Sequence, residues 1–156
     1  MSVKIEKIDL KFNEELIPLK QIENIIIHHT HNPELTVRST HEMHINRFKW
    51  AGIGYNYFIE KDGRVFEGRG MYVGAHAKFH NNKSIGIALA GNFDVALPTK
   101  QQLDSLSQLT IEFMNKYDIE PQKVIGHREI AGVDKTCPGE LFDMDKFRDE
   151  LKKKLR

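Results

Sequence analysis

Ile25-Ile26-Ile27-His28-His29-Thr30 is the stretch that decides the fold, because three β-branched residues run directly into three polar ones. An unbroken apolar run of this kind is typical of a strand that is buried on both faces of a sheet. The polar side chains that follow emerge where the strand ends, at a rigid edge that faces a cleft. The stretch therefore predicts a central strand that delivers histidine to a functional site.

The segments that follow this strand alternate between helix and strand patterns. Residues 36–48 predict a helix because spacings of three and four place four residues on one side of it: Val37, His41, His44 and Phe48. The runs 55–60 and 65–67 predict a hairpin, since Asp62-Gly63 between them supplies the positive φ of a tight turn. Residues 84–91 predict a further strand, whose small residues allow another backbone or a ligand to approach closely.

The C-terminal half continues the alternation. Thr99 and Gln102 form a capping box that opens a helix. Its apolar stripe is Leu103, Leu106, Thr110, Phe113 and Tyr117. Residues 124–126 predict a short strand leading into His127, and Asp143 is expected to cap a last helix with Met144, Phe147, Leu151 and Leu155 on its buried face. The predicted class is α/β, with a central mixed sheet flanked by helices.

The composition indicates one domain with almost no net charge. The 156 residues are 40% hydrophobic, enough for a continuous core. We divide them into an N-terminal extension, residues 1–22, and a catalytic domain, residues 23–156. The 23 basic and 22 acidic side chains nearly cancel to +1, so no field points to nucleic acid or to a membrane surface. We expect a monomer without a nucleic-acid partner.

The first residues predict the compartment of synthesis. Residues 1–12 mix lysines with acidic residues and contain no apolar region of a secretory signal, so we expect synthesis in the cytoplasm. The longest apolar runs fall far short of the ~20 residues that span a bilayer. The single cysteine, Cys137, rules out an internal disulfide. Its thiol is left as a buried group, a metal ligand or a nucleophile.

Possible metal ligands occur at three strand ends or loops: His28-His29, His127, and Cys137 before Pro138-Gly139. Imidazole and thiolate both bind zinc, and three protein ligands with one open position form a catalytic zinc site. The long gap between His28 and His127 matches no compact metal motif. From the residues alone, a cysteine hydrolase with Cys137 as nucleophile and His127 as base is also open.

An ordered set of short motifs covers residues 25–139. The motifs are Ile25-Ile26-Ile27-His28-His29-Thr30, Gly54-Tyr55-Asn56-Tyr57-Phe58-Ile59, Asp62-Gly63, Gly68-Arg69, Val73-Gly74-Ala75-His76-Ala77, Asn82-Lys83-Ser84-Ile85-Gly86-Ile87, Gly126-His127-Arg128-Glu129 and Lys135-Thr136-Cys137-Pro138-Gly139. Together they resemble the zinc-dependent N-acetylmuramoyl-L-alanine amidases, a family that includes phage lysozyme-like amidases and shares its fold with peptidoglycan recognition proteins. The resemblance implies that same fold and a Zn²⁺ cofactor.

The resemblance also implies which residues act. It makes His28, His127 and Cys137 the zinc ligands, whereas His29 is expected to point away, because successive side chains of a strand face opposite sides. It makes Tyr55 and Lys135 the groups that hold the developing oxyanion. By composition alone, Tyr55 fits a core aromatic residue nearly as well. Lys135 would be interpreted as a solvated loop lysine if it did not lie two residues before Cys137, in a loop that the Ala131–Asp134 region lengthens.

Three further residues are candidates for substrate binding. His76 and Asn82 lie in the stretch that lines the substrate groove in the family, although His76 reads equally well as a loop histidine bonded to backbone. His44 is expected either to contact substrate or to orient a zinc ligand through its second ring nitrogen. The remaining histidines are expected at the surface: His31, His41 and His80.

The implied reaction is hydrolysis of the amide bond between N-acetylmuramic acid and the L-alanine of peptidoglycan. The leading interpretation is a phage endolysin, stored in the host cytoplasm and released to lyse the bacterial wall. A bacterial wall-recycling amidase is an alternative. A second alternative is a peptidoglycan-binding module without catalysis; Cys137 argues against it, because such relatives typically lose the cysteine ligand.

Overall fold

The computed structural model describes residues 3–155. Its strands are β1 (Ile5–Glu6), β2 (Asn24–His29), β3 (Tyr57–Ile59), β4 (Val65–Glu67), β5 (Ser84–Leu89) and β6 (Val124–Gly126). Its α-helices are α1 (Val37–Asn46), α2 (Lys100–Tyr117) and α3 (Met144–Lys154). Three single turns of 3₁₀ helix lie at Asn81–Lys83, Pro121–Lys123 and His127–Glu129.

The strands form one mixed sheet in the order β1-β4-β3-β5-β2-β6. Only the β3–β4 hairpin is antiparallel, and the other neighbours run parallel. Strand β2 lies between β5 and β6, so its apolar run is buried on both sides, as predicted. The predicted α/β class with a central mixed sheet is therefore confirmed.

The two faces of the sheet carry different side chains. On one face, Ile25, Ile27, Ile85 and Ile87 pack against α2 and α3 in the larger apolar cluster. The opposite face has a smaller cluster around Val37 of α1. On that face β5 presents Ser84, Gly86 and Ala88, because residues of a strand alternate between its two sides. Small residues there leave room for side chains to collect over the sheet.

The helix ends follow from local chemistry. Thr36 and Ser39 form a capping box at the start of α1, and Thr99 and Gln102 form the predicted one at α2. Asp143 accepts a hydrogen bond from the Lys146 backbone amide and caps α3, as predicted. Helix α1 is shorter than expected, because it ends at Asn46 and leaves Phe48 outside it, 45% exposed.

The N-terminal segment takes part in the sheet. Residues 5–6 form β1, which pairs in parallel with β4 at the edge, and Arg64 forms two hydrogen bonds with Glu6. The division into an extension, residues 1–22, and a catalytic domain stays a prediction. Part of that extension joins the same sheet as the rest of the chain. None of the helices between residues 3 and 155 combines the length and the apolar character needed to cross a membrane.

Candidate metal centre

Parallel pairing of β2 with β6 brings two histidines together. Ile27 is the partner of Gly126 in the register, so the next residues along the chain, His28 in β2 and His127 just after β6, lie side by side. Their ring centroids lie 4.7 Å apart. A separation of about a hundred positions in sequence becomes direct proximity because both strands end at the same edge.

A loop between β6 and α3 brings Cys137 to the same place. The Arg128 backbone amide donates to the Cys137 carbonyl over 2.7 Å, and the Arg128 guanidinium donates to the Phe142 carbonyl over 2.6 Å. Asp94 accepts from the Thr136 hydroxyl and from the Glu140 backbone amide. These contacts tie down both sides of the cysteine. No local pattern in the sequence predicts that Asp94 and Arg128 hold this loop.

The three candidate ligand atoms lie close enough together to share one metal ion. One nitrogen from each of His28 and His127 and the Cys137 sulfur all lie within 4.8 Å of one another. The Cys137 Sγ lies 3.6 Å from the His28 Nδ1. Typical Zn–N and Zn–S bonds at a tetrahedral angle would separate these two atoms by about 3.5 Å. The donor set and the distance between these two atoms therefore fit zinc.

The surroundings keep the two imidazoles neutral. Burial, followed by the neighbouring imidazoles of His76 and His127, lowers the pKa of His28 well below its ordinary value. Burial and the charge of Lys135 lower the pKa of His127. Neutral imidazoles can bind a metal ion. Burial raises the pKa of the Cys137 thiol to about 11, so it needs a bound cation to become a thiolate.

His29 points away from this cluster, as predicted. Its Nδ1 accepts a hydrogen bond from the Phe93 backbone amide over 3.1 Å, and its ring is buried. Burial lowers the pKa of His29 to about 4. It acts as a structural acceptor on the other side of the strand.

Tyr55 and Lys135 line the same cleft as the three ligands. The Tyr55 ring centroid lies 5.3 Å from that of His28, and burial raises the pKa of its hydroxyl, which stays protonated as a donor. Tyr55 precedes β3, where its ring both lines the cleft and packs against the smaller apolar cluster. Lys135 is exposed on the loop two residues before Cys137.

The two histidines of α1 are both buried and both bind backbone. His41 accepts from the Ile53 amide and His44 from the Gly54 amide, each over 2.9 Å. The expectation that His41 lies at the surface was wrong, since His41 is 5% exposed. His44 lines the cleft and packs against Tyr55, so its bond holds the chain just before Tyr55. Its Nδ1 is taken by the Gly54 amide, and the role predicted for its second ring nitrogen stays a prediction.

Of the two residues predicted for the substrate groove, the structure places one in the cleft and the other outside it. His76 lines the cleft, and its Nδ1 lies 2.9 Å from the Nε2 of His28. The His76 ring therefore contacts a side chain of the candidate metal site, and its role in substrate binding stays a prediction. Asn82 is exposed in a 3₁₀ turn, and the structure does not bring it into the cleft. Its neighbour Asn81 turns inward instead, where its Oδ1 accepts from the His76 and Ala77 amides.

Asn56 is a buried polar residue that sequence reasoning missed. Its side-chain amide donates to the Gly70 and Tyr72 carbonyls and accepts from the Gly86 amide. These bonds fasten the chain beside Tyr55 to the neighbouring strand and loop. The only local indication of its role is that an asparagine interrupts an aromatic run whose pattern otherwise predicts a strand.

The cleft extends to both sides of the metal ligands. One part, about 650 Å³, contains the ligands, Tyr55 and the partly exposed aromatic residues Phe48 and Trp50. A second part, about 660 Å³, runs past His76 and Lys135 to the exposed Phe79. The two parts share five lining residues, Trp50, Ala75, His76, His127 and Lys135. The site therefore lies in an open groove suited to an extended ligand.

The structure thus combines a mixed α/β sheet with a cluster of two histidines and one cysteine at its edge. Residues 18–140 match the family model described as N-acetylmuramoyl-L-alanine amidase, and the chain belongs to that family. The resemblance drawn from the sequence motifs is thereby confirmed.

Solved structures of relatives share the fold. An endolysin N-acetylmuramoyl-L-alanine amidase, LysCS, from Clostridium intestinale superimposes with a TM-score of 0.90 at 32% identity, covering 97% of each chain. A mutant of Drosophila PGRP-LB in complex with tracheal cytotoxin superimposes with a TM-score of 0.79 at 29% identity, covering 88% of this chain and 89% of that one.

Curated relatives include both binding proteins and enzymes by name. Peptidoglycan-recognition protein LB of Drosophila melanogaster is 37% identical over 126 residues, which cover 74% of this chain and 53% of that protein. The N-acetylmuramoyl-L-alanine amidase of Sus scrofa is 34% identical over 134 residues, covering 77% of this chain and 22% of that protein. The chain thus spans about half the length of the first and under a quarter of the second.

Proposed function

We propose that this protein is a zinc-dependent N-acetylmuramoyl-L-alanine amidase that hydrolyses the bond between N-acetylmuramic acid and L-alanine in peptidoglycan. The observation that carries the proposal is the convergence of His28, His127 and Cys137 within 4.8 Å at the floor of an open groove. Three ligands leave the fourth position of a tetrahedral ion free, as in catalytic zinc sites.

Zinc bound there would supply a nucleophile at neutral pH and polarise the scissile carbonyl. The residues around it would perform the remaining tasks. Tyr55, protonated because it is buried, donates a hydrogen bond to the carbonyl oxygen as negative charge develops on it. Lys135 adds a positive charge at the same end of the cleft. His44 and Asn56 hold the backbone on either side of Tyr55, which restricts where its ring can lie.

The two rival functions use the same groove differently. A non-catalytic peptidoglycan-binding module would need the groove but not the thiol. A cysteine hydrolase would need Cys137 as a thiolate, whereas burial raises the pKa of that thiol to about 11. The Cys137 sulfur contacts the His28 Nδ1 and the His29 carbonyl, so the raised pKa of the thiol, and not its neighbours, argues for a role as a ligand.

Digestion of purified peptidoglycan tests the proposal. We expect mass spectrometry to find intact stem peptides with a free L-alanine amine. EDTA should abolish their release and added zinc should restore it. Release that continues after verified removal of the metal would favour the thiol mechanism. Binding to peptidoglycan by the zinc-loaded protein without release of peptide would favour the binding module.

We further propose that the protein is an endolysin, made in the cytoplasm and acting on the bacterial wall after its release. Likeness to LysCS over nearly the whole of both chains supports this role. Addition of the purified protein to bacteria with a permeabilised outer layer should lower their turbidity. A wall-recycling amidase would instead degrade soluble muropeptides and leave intact walls unchanged, and that pattern would contradict the endolysin role.

A further inference from the structure

His76 occupies a closely fitted position between a candidate ligand and the sheet. Its imidazole is 8% exposed, and its Nδ1 lies 2.9 Å from the Nε2 of His28. A Cβ at Gly86 of β5 would lie 2.5 Å from the His76 Cγ and Nδ1, closer than any side chain allows. Only glycine therefore lets the ring lie against this strand. The Asn81 side chain fixes the other side by accepting from the His76 amide.

The second nitrogen of His76 points to Ser84. The Ser84 hydroxyl donates to the His80 carbonyl over 2.7 Å, which uses its one hydrogen. The Ser84 Oγ lies 3.3 Å from the His76 Nε2 and must accept there. The His76 Nε2 therefore carries a hydrogen. Burial of the ring opposes a second proton, so the His76 Nδ1 is an acceptor.

The direction of the next bond follows. The His28 Nε2 must donate to the His76 Nδ1, because only one of two facing nitrogens can carry the hydrogen. A neutral His28 that is protonated on Nε2 has its lone pair on Nδ1. That nitrogen lies 3.6 Å from the Cys137 sulfur and faces the candidate metal position.

We propose that His76 is a positioning residue which, backed by Ser84 and the His80 carbonyl, fixes His28 in the tautomer and ring orientation that present Nδ1 to the metal. This assignment rests on the proposed zinc site, and it gives His76 a role other than substrate contact. Partners of this kind to metal-bound histidines typically change metal affinity by about 10- to 100-fold when removed.

Zinc affinity of the whole protein, measured by competition with a chromophoric chelator, tests the role directly. We expect His76→Ala to weaken zinc binding about 10- to 100-fold. His76→Asn should recover most of that affinity, since its amide oxygen falls near the position of Nδ1 and can accept from His28. The matched control is His41→Asn, which alters a histidine that is also buried but bonded only to backbone; its zinc affinity should equal that of the wild type.

The tautomer can also be read in the unaltered protein, which covers the case in which a variant fails to fold. Long-range proton–nitrogen correlation spectra of the zinc-loaded protein should show His28 protonated on Nε2 and His76 protonated on Nε2. A His28 with its proton on Nδ1, a His76→Ala variant with wild-type zinc affinity, or a His76→Asn variant as weak as His76→Ala would each overturn the proposal. A wild-type protein that binds no zinc would instead refute the proposed function itself.

Discussion

Helix α1 and the sheet edge both contribute histidines to one neighbourhood, yet they use them in opposite ways. On α1, His41 and His44 each offer Nδ1 to a backbone amide, and the His41 Nε2 also lies 3.0 Å from the Lys11 carbonyl. At the sheet edge, the His28 Nδ1 faces the sulfur of Cys137 instead. The difference teaches that the partner of the ring nitrogen, rather than burial, separates a structural histidine from a candidate ligand.

Loss of the cysteine should have the largest effect, because it removes one of three ligands at the sheet edge. We expect Cys137→Ala to lose bound zinc and to lose activity by more than the roughly 10³-fold that removal of one oxyanion donor can cause. Elemental analysis of the purified variant checks the metal, and peptide release from peptidoglycan checks the activity. One zinc per chain in a folded Cys137→Ala protein would contradict the assignment of the sheet edge, rather than α1, as the region that binds the metal.

Tyr55→Phe should show the next largest effect and should separate chemistry from metal binding. The ring and its packing remain, so zinc content should equal that of the wild type. Loss of the donated hydrogen bond should lower kcat about 10²- to 10³-fold. Steady-state kinetics on a soluble muropeptide check this result. A wild-type rate would remove Tyr55 from the mechanism.

His41→Ala sharpens the comparison from the side of α1. The change leaves the buried Ile53 amide without its acceptor, which should lower the free energy of unfolding by about 1–3 kcal/mol. Zinc stoichiometry and turnover at 25 °C should remain those of the wild type. Urea denaturation followed by circular dichroism measures the stability. Unaltered stability, or lost zinc with intact folding, would contradict a purely structural role.

The effect of acid on His44 is expected to be the smallest at neutral pH and to grow only below about pH 6.5. Burial, with the charges of Arg69 and His41, lowers the pKa of His44 to about 4 in the folded protein. The unfolded chain binds a proton there near its ordinary value of about 6.5. Protons thus favour the unfolded state as pH falls from about 6.5 to about 4, and stability is lost across that window. We expect His44→Asn to make the fall of the urea midpoint over this range smaller, while the buried His29, whose pKa is also lowered to about 4, keeps part of that fall. Identical slopes in the variant and the wild type would refute the assignment.

Local sequence patterns predicted most of the elements because their causes are local. The apolar run at residues 25–27, the capping box at Thr99 and the Asp143 cap each act through neighbours a few positions away. Helix α1 was predicted too long at its C-terminal end, since Phe48 fits the apolar spacing although the helix ends at Asn46. Spacing describes a face and does not fix where a helix stops.

The sequence by itself determined the α/β class, the strand that carries His28 and, through its resemblance to a family, the identity of three candidate ligands. Only the tertiary structure decided that β6 lies beside β2 in the register that sets His127 next to His28. Only the tertiary structure also shows that His41 is buried rather than at the surface, and that the His76 ring contacts the His28 ring. The physical reason is that strand order and side-chain hydrogen bonds connect residues distant in sequence, and no local pattern records which distant groups will meet.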